Sequence, residues 1–358
     1  MDPLVDVDWT MGSHAARLAD WQTAREVART VSGAGPRVLP ADRARLRDDL
    51  AAHVTKAEAL VTEHTGLAVT GFRSRAWVMG RGDWVRENIQ GMQRLLEPLA
   101  ERIHERRPER AMLARKALGG QVGAILGYVS RRVLGQFDVF LPPDDEGLIY
   151  FVGPNLIETE RRFALRPADF RLWVAIHEVT HRVQFDAAPW LHGYLAGLVE
   201  EYLSTVSLEA GEMRAQLRRA VDEARSGAAD LLAPGGILLL LTPEQREIFA
   251  RTQAMMSLLE GHASYVMNEV AKDHVHDLAR LRAALSARRS VKGAERLFQR
   301  AIAFDQKVAQ YDSGERFVRE VVARAGQETL NLAWRDPSAL PSREEIAEPA
   351  RWVARLGG

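Results

Sequence analysis

The chain has 358 residues, with 48 basic and 48 acidic side chains and no cysteine. This length allows one large domain or two modest ones with a substantial core, and the zero net charge lacks the basic surplus of a nucleic-acid binder. Without cysteine, disulfides, thiolate metal sites and cysteine nucleophiles are excluded. The first residues, Met1-Asp2-Pro3-Leu4-Val5-Asp6, are acidic and carry no basic-then-apolar leader pattern. The longest apolar run, Ile237 to Leu241, is too short to span a bilayer. A cytoplasmic protein with no membrane or nucleic-acid partner is expected.

In chain order, Trp9 to Val31 places Ala, Leu and Trp at helical spacing, and Ala41 to Glu63 carries the stripe Leu46, Leu50, Val54 and Leu60. Helices over Ser74 to Leu99 and Glu109 to Leu134 follow, with Pro36, Pro40 and Pro108 as breaks. Phe137 to Leu141 then alternates, Pro142 to Gly147 supplies a turn, and Leu148 to Val152 is a short apolar run, together predicting a β-hairpin. Such a hairpin either covers the core or pairs with an extended ligand along a cleft. A helix opens near Pro167 and Asp169, which suit a first turn. Pro189 to Leu208 and Ala210 to Arg225 read as helices, and Gly227 to Gly236 as a flexible loop able to fold over a cleft. Thr242, Pro243 and Gln245 form a capping box that opens a long helix, and further helices run to Arg355. The reading is mainly α with a small β-hairpin or sheet: a helical N-terminal lobe, residues 1–134, packed on a lobe of residues 135–358.

The helix from Pro167 contains Ile176-His177-Glu178-Val179-Thr180-His181-Arg182, an H-E-x-x-H pentapeptide. Imidazoles four residues apart share one helical face and can bind one ion without distorting the backbone. Glu178 points close to the same side, within reach of a water on that ion. Phe170, Trp173, Val174, His177, His181 and Phe185 form one stripe, so both histidines are expected on the buried side. The bland alternative is a pair of core histidines, but two buried imidazoles one turn apart are costly unless both find partners.

A zinc site of this kind needs a third protein ligand. Leu258-Leu259-Glu260-Gly261-His262-Ala263-Ser264-Tyr265, on the capped helix, offers two. Glu260 is preferred because it interrupts an otherwise uncharged run from Thr252 to Asn268. His262 is the rival, two positions on and roughly opposite in helical angle. His262, Tyr265 and Tyr311 are also candidates for stabilising an oxyanion, each read more readily as packing or as part of a second shell. His192, His274 and His276 read as surface or structural.

Several motifs together resemble one family. They are Val7-Asp8-Trp9, Gly135-Gln136-Phe137-Asp138, Gly153-Pro154-Asn155-Leu156, the run His177 to Phe185, Leu259-Glu260-Gly261-His262-Ala263, and Trp334-x-x-Pro-x-x-Leu-Pro ending at Pro341. Over nearly the whole chain they resemble an actinobacterial zincin-like hydrolase family, also labelled as associated with deazaflavin-coenzyme biosynthesis. The E-G-H-A tetrapeptide resembles the gluzincin pattern. The resemblance implies a zincin-like metallopeptidase fold, His177 and His181 as Zn²⁺ ligands, Glu178 as catalytic base and, by analogy, Glu260 as third ligand. It also implies that a strand before the H-E-x-x-H helix edges the cleft. One departure stands out: many gluzincins carry an acid four residues after the ligand glutamate to orient a histidine, and here that residue is Ser264, leaving the second shell unassigned.

The function expected is metal-assisted amide hydrolysis, with a peptide or small amide as substrate. A catalytically inactive zincin-fold binding protein and a zinc hydrolase of a small-molecule amide are the alternatives. The oligomeric state stays open.

Overall fold

The computed structural model describes residues 15, 18–33, 35–36, 38–106, 112–137, 147–206, 211, 218, 241–289 and 304–356. The Val7-Asp8-Trp9 motif, residues Asp138 to Glu146 (most of the first expected hairpin strand and its turn), nearly all of the expected helix Ala210 to Arg225, and the loop Gly227 to Gly236 lie outside these residues. The fold is mainly α: α1 (Trp21–Ser32), α2 (Pro40–Thr65), β1 (Arg75–Met79), α3 (Arg81–Arg106), α4 (Met112–Ser130), β2 (Gly135–Phe137), β3 (Leu148–Val152), α5 (Gly153–Phe163), α6 (Pro167–Ala187), α7 (Trp190–Thr205), α8 (Pro243–His274), α9 (Leu278–Arg289), α10 (Phe304–Asn331), two 3₁₀ turns, α11 (Arg343–Ala347) and α12 (Pro349–Leu356). Among the described residues no helix is long and apolar enough to cross a membrane.

Packing divides the chain into residues 1–49 with 76–164, and residues 50–75 with 165–358. The sequence reading drew its boundary after residue 134. Residues 135–164 instead pack with the preceding helices, and residues 50–75 with the later ones. The reasons are specific. In the first unit Asn155 donates from Nδ2 to the carbonyls of Ser130 (2.7 Å) and Val133 (2.6 Å). Its Oδ1 accepts from Arg81 Nε at 2.7 Å, while Arg81 also donates to the Ser32 carbonyl and pairs with Glu158. Arg81 is buried, so these partners offset the cost of removing its charge from water.

An antiparallel pair forms with Gly135, Gln136 and Phe137 opposite Phe151, Tyr150 and Ile149; it begins two residues earlier than the expected strand Phe137 to Leu141, whose residues after Phe137 lie outside the described ones. The sheet order is β1-β3-β2. β3 is therefore the central strand, paired on both edges, and has no free edge for an extended ligand. The expectation of a helix from Ser74 is corrected at its start. Arg75–Met79 is strand β1, because Trp77 packs edge-on against Tyr150 of β3, 5.3 Å between ring centroids. The turn to α3 is made at Gly80, whose N–H donates to the Asp83 carboxylate at 3.0 Å. Tertiary pairing here overrides a helical spacing pattern.

In the second unit α6 is buried on nearly every side, so the single apolar stripe read from the sequence understates its coverage. Arg182, facing away from the metal-ligand pattern, pairs with Glu58 at 3.3 Å and reaches Ser74 Oγ at 3.3 Å. The Asp186 carboxylate accepts from the Thr70 N–H at 2.5 Å, and Asn331 Nδ2 donates to the Thr65 carbonyl at 2.8 Å. α8 begins with the expected capping box, Thr242 accepting from the Gln245 N–H and Gln245 from the Thr242 N–H.

Helix α8 meets α10 backbone to backbone. A Cβ on Gly261 would lie 2.1 Å from the Gly314 carbonyl carbon, and one on Gly314 would lie 1.9 Å from the Ser257 carbonyl oxygen. No side chain fits either position without separating the helices. Gly314→Ala is expected to destabilise the protein by about 3 kcal/mol, the upper part of the range for overpacking. Gly193→Ala in α7, with nothing within 4 Å of the added carbon, should be neutral or gain up to about 1 kcal/mol from helix propensity. Urea unfolding midpoints compare the two.

Candidate metal centre

Helices α6 and α8 bring together three side chains far apart in sequence. His177 Nε2 lies 3.6 Å from Glu260 Oε2, and His181 Nε2 lies 3.4 Å from the same oxygen. One donor atom from each of the three falls within 4.8 Å of the others. The imidazole rings stand edge to face, 4.8 Å apart at 85°, as one helical turn between them requires. Their side chains keep 18% and 14% exposure, and Glu260 18%. The face is mostly buried, in line with the stripe in the sequence, yet not fully closed to solvent. Accessibility suits a metal ligand that must leave a coordination position open.

Glu260 Oε2 has no hydrogen-bond donor, although it is buried. A buried carboxylate oxygen held only between two imidazole nitrogens is costly unless a positive charge meets it. Two imidazole nitrogens and one carboxylate oxygen form a donor set that suits zinc, so the residues fit such an ion. In the metal-free chain a proton serves instead. Burial works against charge on His181, but the Glu260 carboxylate outweighs it and lifts the imidazole to about 9. Burial pushes the Glu260 carboxyl up, and His181 and His177 more than reverse this, holding it well below the usual range.

Glu178 follows His177 directly and is buried, with 7% exposure. Its charge also acts on His181, raising it. His262, the rival ligand, is fully buried and lies outside the group of three. Its Nδ1 faces Gln184 Nε2 at 2.9 Å, and its ring lies 5.1 Å from that of Trp334. Burial, reinforced by the charge of His181, pushes it down to about 3, so it is neutral. Tyr265 is buried against the His64 ring, 6.2 Å between centroids, and burial raises its hydroxyl. The Tyr311 side chain lies outside the described residues. His192 packs edge-on to Phe185, and exposed His276 pairs with Asp169 at 3.3 Å.

Gln184 is the residue that sequence reasoning overlooked. It is fully buried. Its Oε1 lies 3.0 Å from His181 Nδ1, and its Nε2 donates to the Leu259 carbonyl at 2.9 Å. The available signal was a polar side chain three residues after His181, between Val183 and Phe185. Trp334, from the C-terminal motif, closes the far side and anchors α7 by accepting from Trp190 Nε1 at 2.9 Å through its carbonyl.

A helical chain with a small sheet and a His-His-Glu group able to hold a metal ion has the features of a zincin. The zincin-like metallopeptidase family profile matches residues 19–353, and the chain belongs to that family. Among solved structures, a crystal structure from Chloroflexus aurantiacus, described as a candidate hydrolase with a novel fold, is similar at 31% identity and a TM-score of 0.71. The similarity covers 95% of this chain and 99% of that one. No curated protein matches significantly.

Because His181 is protonated in the metal-free chain, uptake of a divalent ion must displace that proton. Below about pH 9 the deprotonated fraction grows with pH, so apparent zinc affinity should rise roughly tenfold per pH unit across neutrality. It should level off above that value rather than near 6.5. Calorimetry in buffers of different ionisation enthalpy should count about one released proton at neutral pH from this residue.

Proposed function

We propose that the protein is a zinc-dependent hydrolase of amide bonds, acting on peptides. The carrying observation is the convergence of His177, His181 and Glu260 from two helices, with Glu178 beside the first histidine. Membership in the zincin-like metallopeptidase family and similarity to the Chloroflexus protein support a hydrolase. The three convergent residues would hold the ion. Zinc supplies Lewis acidity toward the carbonyl and makes water more acidic.

The chain's own groups supply the rest. Glu178 accepts the proton of the attacking water and passes it to the leaving amine. Its burial shields that transfer from solvent. The Nε2 atom of His181 must be free of its proton in the working state, which the ion enforces and the metal-free pocket does not. The narrower kinship with an actinobacterial group linked to a deazaflavin coenzyme rests on the motifs alone and assigns no coenzyme chemistry to these residues. A cytoplasmic site of action fits the cysteine-free composition.

Zinc content by atomic emission, followed by cleavage of a peptide library, tests the proposal. Bound zinc with chelator-sensitive cleavage is the expected result; zinc without cleavage of any peptide would overturn the peptidase reading. Glu178→Gln should keep zinc and lower kcat by about 10²–10⁴-fold. His181→Ala should lose the metal. Loss of zinc in Glu178→Gln would show that this side chain is a ligand rather than the base.

A further inference from the structure

We infer that Gln184 and His262 form a relay of hydrogen bonds that dictates which nitrogen of His181 carries its proton, making both positioning residues of the metal centre. The inference rests on the zinc reading above for its purpose, but its geometry stands without the ion.

The donor and acceptor roles are forced from one end. The Leu259 carbonyl can only accept. The side-chain group facing it at 2.9 Å must therefore be the NH₂ of Gln184. That assigns the amide orientation without reference to any histidine. The second hydrogen of the same NH₂ points to His262 Nδ1, 2.9 Å away, so this nitrogen must be the acceptor. His262 is then neutral and carries its proton on Nε2, a buried atom with no hydrogen-bond partner among the described residues, on a ring 5.1 Å from that of Trp334. The remaining atom, Gln184 Oε1, can only accept. It lies 3.0 Å from His181 Nδ1, which must donate. His181 Nδ1 therefore bears a proton, and in the neutral ring Nε2 keeps its lone pair on the side of Glu260.

Each member is locked in place. Gln184 and His262 have no exposure, so water offers neither an alternative partner. The relay also spans the two helices that carry the ligands, since Gln184 belongs to α6 and both of its NH₂ acceptors to α8. It orients His181 and fixes the height of Glu260 relative to it through one side chain. A hydrogen-bond partner of this kind is worth about 10–100-fold in metal affinity.

The first test is long-range ¹H–¹⁵N correlation of ¹⁵N-histidine-labelled protein. In the metal-free wild type, His262 should show the Nε2–H tautomer; Nδ1–H on His262 would overturn the relay. In the zinc-loaded wild type, His181 should be protonated on Nδ1; coordination through Nδ1 would also overturn it. A wild type that takes up no zinc would instead defeat the proposed function, and the His262 tautomer would still decide the relay.

The second test separates orientation from mere packing. Gln184→Met removes every hydrogen bond and should lower zinc affinity about 10–100-fold, read by chelator competition. Gln184→Glu keeps an acceptor for His181 but offers no donor. It should restore at least half of that loss on a logarithmic scale and turn His262 to the Nδ1–H tautomer. Packing alone predicts the opposite order, because a buried carboxylate fits worse than a thioether. Zinc binding by Gln184→Met as tight as wild type, or tighter than by Gln184→Glu, would overturn the proposal.

Discussion

Two helices, α6 and α8, have to meet at one height and at very short range for anything else in the second unit to follow. Two contacts secure this. The amide of Gln184 fastens α6 to the Leu259 carbonyl and His262 ring of α8. On the other side of α8, Gly261 and Gly314 let α10 press against its backbone. A change in either contact moves Glu260 relative to the paired imidazoles. The distances of 3.4 and 3.6 Å between those groups are thus a product of helix packing as much as of local sequence. The long side chains do not search for one another; rigid rods deliver them.

The arrangement combines two electrostatic regimes within a few ångströms. His181 is drawn toward the charged form by Glu260, whereas His262, one hydrogen-bonded side chain away, is held neutral by complete burial. Gln184 separates the two and has no charge of its own. A carboxylate in its place would add a third acidic group to a pocket that already contains Glu178 and Glu260. An amide can accept from one ring and donate to the other, which is what a neutral histidine behind a cationic one requires.

Much of this was readable beforehand because it is local. The four-residue spacing of His177 and His181 needs only helical geometry, and the capping box at Thr242 announced the helix that carries Glu260. Strand β3 was legible as the short apolar run Leu148 to Val152. Features that depend on distant partners were not. Gln184 finds its acceptors 75 and 78 residues downstream, and nothing around it reveals them. Arg75 to Met79 resembles a helix start until β3 is available to pair with it. The placement of residues 50–75 and 135–164 depends on Glu58, Ser74 and Asn155, whose burial no window of sequence discloses. The stripe on α6 suggested a buried histidine face; both histidines are mostly covered, but the stripe gave no sign that almost every other side of the helix is covered too.

The positive charge that Glu260 induces on His181 bears on the order of maturation. A buried carboxylate with no counter-charge would penalise closure of the second unit. With His181 cationic near neutral pH, the pocket is compensated before any metal arrives. Small zinc modules differ, since their polypeptide stays unfolded until the ion is captured. Here a protonated imidazole faces the carboxylate without any ion, so the pocket's charge balance does not itself depend on metal.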